Sequence, residues 1–600
     1  MKKGLLFIVS VVLLASCANR GIGPQGGPKD SIPPVPLRYE PEQGTLEFKG
    51  KRIEVTFNEY LQLNDVSSNL LMSPPQQTPP EVKVWGKKLI VQFQDSLRDS
   101  TTYTLDFGDA VCDYHEKVPL HGFTYYFSTG SEIDTLETTG YVYDAATLNP
   151  LKGILVGIHS NMEDSAFVTQ PFLRIARTDS AGHFRIGNIH EGTYRIYAVE
   201  EISRDYRLTI GEALAFTEEA ITVNGESGVE SQESRVDSID INIDSLALSG
   251  EGLAVKGTQL LLFKEFKPKV YLQRTTRDEQ HKIQISFSAS PDSLMELHPL
   301  TDSLNYHMQV SKNKDTITLW LLDSMSIAQD SLFIEARYRR TDSVYNMEWY
   351  TDTLRAVWRA PKMTNKMREA QERRNRNRRL ELKTNARRGF ELYDTLKLSC
   401  TSPLMRIERD SIHILAKSDD GDKPVSFEIA PHDTLPMEIQ LLATFKAGER
   451  YELRLDSGAL HDVYEITHVK GAYPFEMKSE SDYSTLRVTL NPFVEHAQIQ
   501  ILDKKDAVLR ELPALPEGTL FEYLAPETYY MRLYIDENGD GKWTTGNWPE
   551  HRQPEPIYYF PESIQTKSNW DFEEEWDYEA VPQMLAKPKE LIKAASSKKK

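Results

Sequence analysis

The stretch RIEVTFNEYL at residues 52–61 alternates apolar and polar side chains, with Ile53, Val55 and Phe57 sharing one face. Period two marks a strand buried on one side, because successive side chains point to opposite faces of a sheet. The alternation returns at Leu89, Val91 and Phe93, at Tyr103, Leu105 and Phe107, and at Phe123, Tyr125 and Phe127. Between these runs lie Ser73-Pro74-Pro75 and Trp85-Gly86, and Pro and Gly punctuate strands rather than extend them. Short strands at this spacing predict an antiparallel sandwich over residues 36–130.

Taken together, RIEVTFNEYL, LIVQF (89–93), TTYTLDFGDAVCDYHEK (101–117) and FTYYFSTG (123–130) resemble the bacterial Ig-like domain first described in S-layer proteins. A second module is predicted over 136–223. Asp179-Ser180-Ala181-Gly182 forms its hairpin turn, with Gly182 free to take positive φ, and Phe184, Ile186 and Ile189 point inward. GYVYDAATLNPLKGILVGI (140–158) and ARTDSAGHFRIGNIHEGTYRIYAVEE (176–201) resemble the carboxypeptidase regulatory-like, or transthyretin-like, β-sandwich. That resemblance implies an adhesive or spacer fold without the zinc ligands of the peptidases.

Residues 224–360 resemble nothing recognised, but Ile239, Ile241 and Ile243, Ile283, Ile285 and Phe287, and the run Ile317 to Leu321 predict further strands. Beyond them the first two modules echo. Tyr103-Thr104-Leu105 leading to Asp113-Tyr114-His115-Glu116 is matched by Tyr451-Glu452-Leu453 leading to Asp462-Val463-Tyr464-Glu465. Phe184 to Tyr194 is matched by Phe521 to Tyr529. A second Ig-like domain over 390–480 and a second transthyretin-like sandwich over 481–584 follow. The expected fold is all-β: tandem antiparallel β-sandwiches, Ig-like and transthyretin-like, behind a lipoprotein signal peptide.

That signal peptide is residues 1–16. Lys2 and Lys3 precede the apolar run GLLFIVSVVLLAS, which is shorter than the roughly 20 residues a spanning helix needs. It ends in Leu14-Ala15-Ser16-Cys17, which resembles a bacterial lipobox and implies lipidation of the Cys17 thiol. Lipid chains hold by burying methylenes, roughly 0.8 kcal/mol each. Residues 17–35 are rich in Gly and Pro and are expected to be a flexible spacer. CANRGIGPQGGPKDSIPP resembles the start of Bacteroidetes outer-membrane lipoproteins. The chain lacks the acidic run after the cysteine that accompanies surface export there, which points to the periplasmic face of the outer membrane.

A chain of 600 residues exceeds the roughly 250–300 that one core supports. A net charge of −19 argues against nucleic acid as a partner. With Cys17 lipidated, Cys112 and Cys400 fall in separate modules and are read as small buried residues rather than a disulfide.

Local chemistry is sparse. Asp536, Asn538 and Asp540, followed by Gly541, match the first half of an EF-hand-type calcium loop, but the twelfth position is Asn547 and only Glu550 stands nearby. The other reading is an Asx-rich turn whose oxygens bond backbone amides. Residues 361–389 are strongly basic, a helix or linker able to meet phosphates or an acidic partner, and 585–600 are expected to form a basic tail. No catalytic residue is assigned: HExxH, GxSxG, Walker and CxxC motifs are missing, and His115, His121, His183 and His190 fall in loops of two modules. Glu573-Glu574-Glu575 is read as a solvated acidic face. Trp543, Trp548, Trp570 and Trp576 are read as core and rim, or as a sugar-stacking set. The expected function is that of a non-enzymatic outer-membrane lipoprotein, a scaffold or accessory subunit binding an envelope protein partner. The alternative is a glycan-binding surface lipoprotein.

Overall fold

A computed structural model describes residues 31–224, 257–265, 268–300, 304–359, 364–365, 369, 378–419, 421–433 and 435–593. The chain is all-β, a succession of antiparallel sheets packed face to face. In the first module the strands Pro36–Glu40, Arg52–Phe57, Lys88–Gln92 and Glu81–Trp85 form one sheet. Leu71–Ser73, Thr102–Asp106 and Thr124–Ser128 form the other. The inward positions expected from period two, Ile53, Val55, Leu89, Leu105 and Phe127 among them, are all buried in one core. Tyr103 reaches back to accept the Arg98 amide at 2.7 Å, which fixes the turn entering its strand.

The fourth module repeats this plan. Leu382–Thr384, Leu396–Cys400, Glu438–Ala443 and Phe427–Ile429 correspond to the first sheet, and Ile412–Lys417, Arg450–Leu455 and Gly471–Met477 to the second. Tyr451 accepts the Lys446 amide at 2.9 Å, as Tyr103 does with Arg98. The echoing aspartates also share a role. Asp113 accepts the His115, Glu116 and Val118 amides, and Asp462 those of Tyr464 and Ile466. Each satisfies a tight turn in the core, where unpaired amides would be costly. The module begins earlier than 390. Leu380 and Phe390 are buried in its core, and Arg388–Phe390 pairs in parallel with Gly471–Met477. Within the basic stretch, alternating leucines carry a strand that its charge obscures; most of 361–377 lies outside the described residues.

The second and fifth modules share a topology of eight described strands each. In the second, Leu136–Asp144 lies between His183–Ile189, antiparallel, and Thr258–Leu262, parallel. In the fifth, Ser484–Leu490 lies between Thr519–Leu524, antiparallel, and Asp571–Trp576, parallel. The opposing sheets run Arg174–Arg177, Leu155–His159, Gly192–Val199, Leu214–Phe216 and Val508–Pro513, Ala497–Leu502, Thr528–Ile535, Ile557–Tyr559. The second module therefore does not stop at 223: Thr258–Leu262 closes it, burying Leu260 and Leu262. A side chain at Gly140 would collide with the Thr258 carbonyl, so glycine admits this last strand. Ile239, Ile241 and Ile243 lie outside the described residues. The middle module is correspondingly shorter, with Leu272–Glu279, Lys282–Phe287, Thr316–Leu321 and Tyr306–Val310 facing the hairpin Ser331–Thr341/Met347–Val357 and its neighbour Glu296–Pro299.

The modules form a closed circuit. The middle module meets the second where Tyr345 packs on Gly211. It meets the fourth where the Tyr464 hydroxyl donates to the Leu321 carbonyl at 3.1 Å. Fourth and fifth join through Glu391, which accepts the Tyr483 hydroxyl at 2.7 Å and Lys478 at 2.6 Å. Fifth and second share an apolar cluster that includes Tyr143, Leu148, Tyr530 and Ile557. The first module stands outside the circuit, attached to the second.

Two tests follow from the second module. Leu260→Ala should destabilise it by about 2–5 kcal/mol, because a fully buried leucine leaves a cavity; a strand foreign to the module would show no such loss on denaturant unfolding. His159 is 3% exposed, beside Phe172 and Tyr197 and across from Arg195, and burial pushes its pKa down to about 4. Above pH 6.5 the imidazole is neutral both folded and unfolded; between 6.5 and about 4 only the unfolded chain takes the proton. Stability should therefore fall with pH through that window by up to about 1.4 kcal/mol per unit, and His159→Gln should flatten the dependence measured by denaturation at stepped pH.

Candidate functional site

The residues singled out from the sequence converge on the junction between the second and fifth modules. Asp536 to Gly541 opens the long connection that follows the strand Thr528–Ile535. Asp536 accepts the amides of Gly539, Asp540 and Gly541 at 2.7–3.1 Å. Asn538 accepts Asp540, and Asp540 accepts Lys542. These are the bonds of an Asx-rich turn, a curl that both readings of the motif share. Asn547 accepts the Glu550 amide, and Glu550 pairs with Arg552. Among the described residues, no group of three His, Cys, Asp or Glu side chains is placed to hold a metal ion.

What the turn does is aim the connection at its neighbour. Glu555, buried, accepts the Glu537 and Thr544 amides and closes the base of the loop. Trp548, 8% exposed, then enters the second module, edge-on to Phe167, Tyr197 and Phe216 at centroid distances of 5.0–5.7 Å. His551 meets Asp164 at 2.9 Å, and Gln553 donates to the Phe216 carbonyl at 3.0 Å. A side chain at Gly546 would overlap the Phe263 ring, so the approach requires glycine there.

A second contact comes from the segment expected to begin the basic tail. Residues 585–593 instead pack into the junction, burying Ala586 and Leu591. Lys587 donates to Asp506 at 2.8 Å and to the Thr147 carbonyl of the second module at 2.6 Å, with the Tyr559 hydroxyl at 3.4 Å. The Lys587 and Asp506 side chains are 1% and 2% exposed. Burial pushes the Lys587 pKa down and Asp506 pulls it back up. Arg532 adds a bond to the Ala146 carbonyl at 3.2 Å. A single buried lysine among exposed ones has no signature in composition. Residues 594–600 lie outside the described residues, as does Cys17.

The remaining candidates do not gather. His121 pairs with Asp109 and His190 with Asp134, each exposed and at different places, while His115 and His183 pack beside Tyr114 and Tyr141. Glu573 and Glu575 lie exposed on one face of the strand Asp571–Trp576, as a solvated acidic face requires, while Glu574 is half-buried on the other face, where burial raises its pKa. Of the four tryptophans, Trp548 and Trp576 are buried, Trp543 donates to the Glu555 carbonyl, and only Trp570 is largely exposed, at 57%. Cys112 and Cys400 are buried and free, and burial pushes the Cys400 thiol up to about 12.

The seam between the first and second modules holds a cleft of about 630 Å³. Beside it the buried Arg174 donates to the Thr102 carbonyl and to Asp134 and so locks the two modules together. Arg98, Arg204, Arg207 and Asp205 line the opening. Arg207 is held by Asp205 at 2.8 Å.

A family model described as a bacterial Ig-like domain matches residues 30–129. No curated protein matches the chain. Among solved structures, the N-terminal part of the bacterial S-layer protein SbsC is 10% identical, covering 29% of this chain and 44% of that one, with a TM-score of 0.15. Domains 1–6 of the surface layer protein SbsC are 9% identical over 85% of this chain and 62% of that one, with a TM-score of 0.13. Native alpha-2-macroglobulin from Escherichia coli, spanning domains MG0-NIE-MG1, is 10% identical over 50% of this chain and 98% of that one, with a TM-score of 0.18. The chain thus spans less than two thirds of either S-layer structure.

Removing the lysine of the junction should expose its role. Lys587→Ala strands a buried carboxylate and should cost about 3–5 kcal/mol, read as earlier amide exchange in both the second and fifth modules. The double variant Lys587→Met, Asp506→Asn should lose less, because it leaves no buried charge unpaired.

Proposed function

We propose that the chain is an outer-membrane lipoprotein, tethered by lipid at Cys17, that acts as a non-enzymatic scaffold or accessory subunit holding an envelope protein partner. The basic start, short apolar run and Leu14-Ala15-Ser16-Cys17 ending support the tether. One observation carries the scaffold reading. The second and fifth modules are joined by a buried lysine and an inserted tryptophan that reach residues more than 300 positions earlier in the sequence, closing a string of sandwiches into a fixed frame. A spacer needs no such closure, whereas a platform that presents several surfaces in constant relation does.

The strand topology of the second and fifth modules supports reading both as transthyretin-like sandwiches, folds of spacers and adhesins. The missing acidic run after Cys17 favours the periplasmic face. The glycan-binding alternative rested on four clustered tryptophans, and with two of them in cores it has only Trp570 for stacking. Purification of the full chain from mild detergent should recover an envelope protein in constant stoichiometry, and protease added to intact cells should leave the chain whole until the outer membrane is opened. Recovery of the chain alone, or ready digestion on intact cells, would count against the respective parts of this reading.

A further inference from the structure

The first module carries an aromatic end that no other module covers among the described residues. Trp85 is 78% exposed at the tip of the hairpin joining Glu81–Trp85 to Lys88–Gln92. Tyr60 and Tyr114 are 59% and 57% exposed. Backbone bonds hold these residues at one place. The Leu61 amide donates to the Gly86 carbonyl at 3.1 Å, and the Tyr114 amide to the Tyr60 carbonyl at 3.0 Å. Lys87 lies over the Tyr60 ring at 5.7 Å and donates to the Asn58 carbonyl at 2.6 Å.

The same Asn58 receives the incoming chain. Its side chain accepts the Val35 amide at 2.7 Å, and its own amide donates to the Val35 carbonyl at 3.0 Å. Exposed Val35 and Leu37 extend the apolar surface around this entry. The aromatic end and the entry of the chain are therefore one end of the module. Only 18 residues separate Val35 from Cys17, a reach of at most about 60 Å fully extended. A chain tethered at Cys17 thus brings this end to the bilayer before any other part of the frame.

Tyr and Trp favour the headgroup zone, where the ring is buried and the polar tip stays wet, and a nearby lysine meets lipid phosphate. We propose that the end formed by Tyr60, Trp85, Lys87 and Tyr114 rests in the lipid headgroup region and sets the orientation of the frame on the membrane. This rests on the tether at Cys17 as the element that delivers it, but the contact itself belongs to the side chains.

The test uses the full chain and its Trp85→Phe variant on vesicles of phosphatidylethanolamine and phosphatidylglycerol with brominated acyl chains, with palmitate labelling of Cys17 measured on the same preparations. Bromine should quench a component of the tryptophan emission that is missing from Trp85→Phe, and Tyr60→Ser with Tyr114→Ser should weaken that quenching several-fold. Labelled Cys17 with equal quenching in both chains would overturn the proposal and leave the tether standing. Unlabelled Cys17 would overturn the tether alone; raising the vesicle concentration would then restore Trp85-dependent quenching if the proposal holds, and its failure to appear would overturn the proposal too.

Discussion

Lys587 and Asp506 lie almost wholly out of water between two modules, and the arrangement of the whole chain depends on how that cost is met. Taking an ammonium and a carboxylate out of water costs several kcal/mol each, and their attraction offsets it only when the leftover donors and acceptors are satisfied. Here they are. The three donors of the ammonium face Asp506, the Thr147 carbonyl and the Tyr559 hydroxyl. Asp506 in turn accepts from Tyr559 at 3.0 Å. One of the three acceptors belongs to the second module, so the charge is fully satisfied only when the modules are together. A contact of this kind selects one relative placement of the modules, where apolar packing alone would tolerate several.

How much of this was legible in the sequence follows from the range of the interactions. Strand period two needs only a few neighbours, so Ile53, Val55 and Phe57, or Ile283, Ile285 and Phe287, could be placed at once. The Tyr-to-Asp echo was legible because both residues act locally, the tyrosine five residues back and the aspartate two to five forward. Thr258–Leu262 was not, because its partner is Leu136–Asp144, more than 100 residues away and parallel. Nothing in a five-residue strand states which sheet it closes. The leucines at 380 and 382 were hidden for a different reason, since the arginines around them dominated the reading.

The aspartates at 536 and 540 show the limit of motif reading at a site. A loop that binds a cation and a loop that ties its own amides place oxygens at the same alternate positions, because both must curl the backbone tightly around them. The second half of the loop has a further use here. There Trp548, His551 and Gln553 all face the second module, a use that no local pattern could announce.

The closed circuit also changes what a break in the backbone means. In a linear string of domains, one cut between neighbours releases everything downstream. In this chain a cut between the second and middle modules, beyond Lys264, would leave the second module held to the fifth by Trp548 and Lys587 and to the middle module by Tyr345. Two severed joints are needed to free any module of the circuit, so it should tolerate nicking, or new termini at one connection, in a way the same sandwiches in a row would not. The first module, attached through Arg174 at one seam, has no such second hold among the described residues.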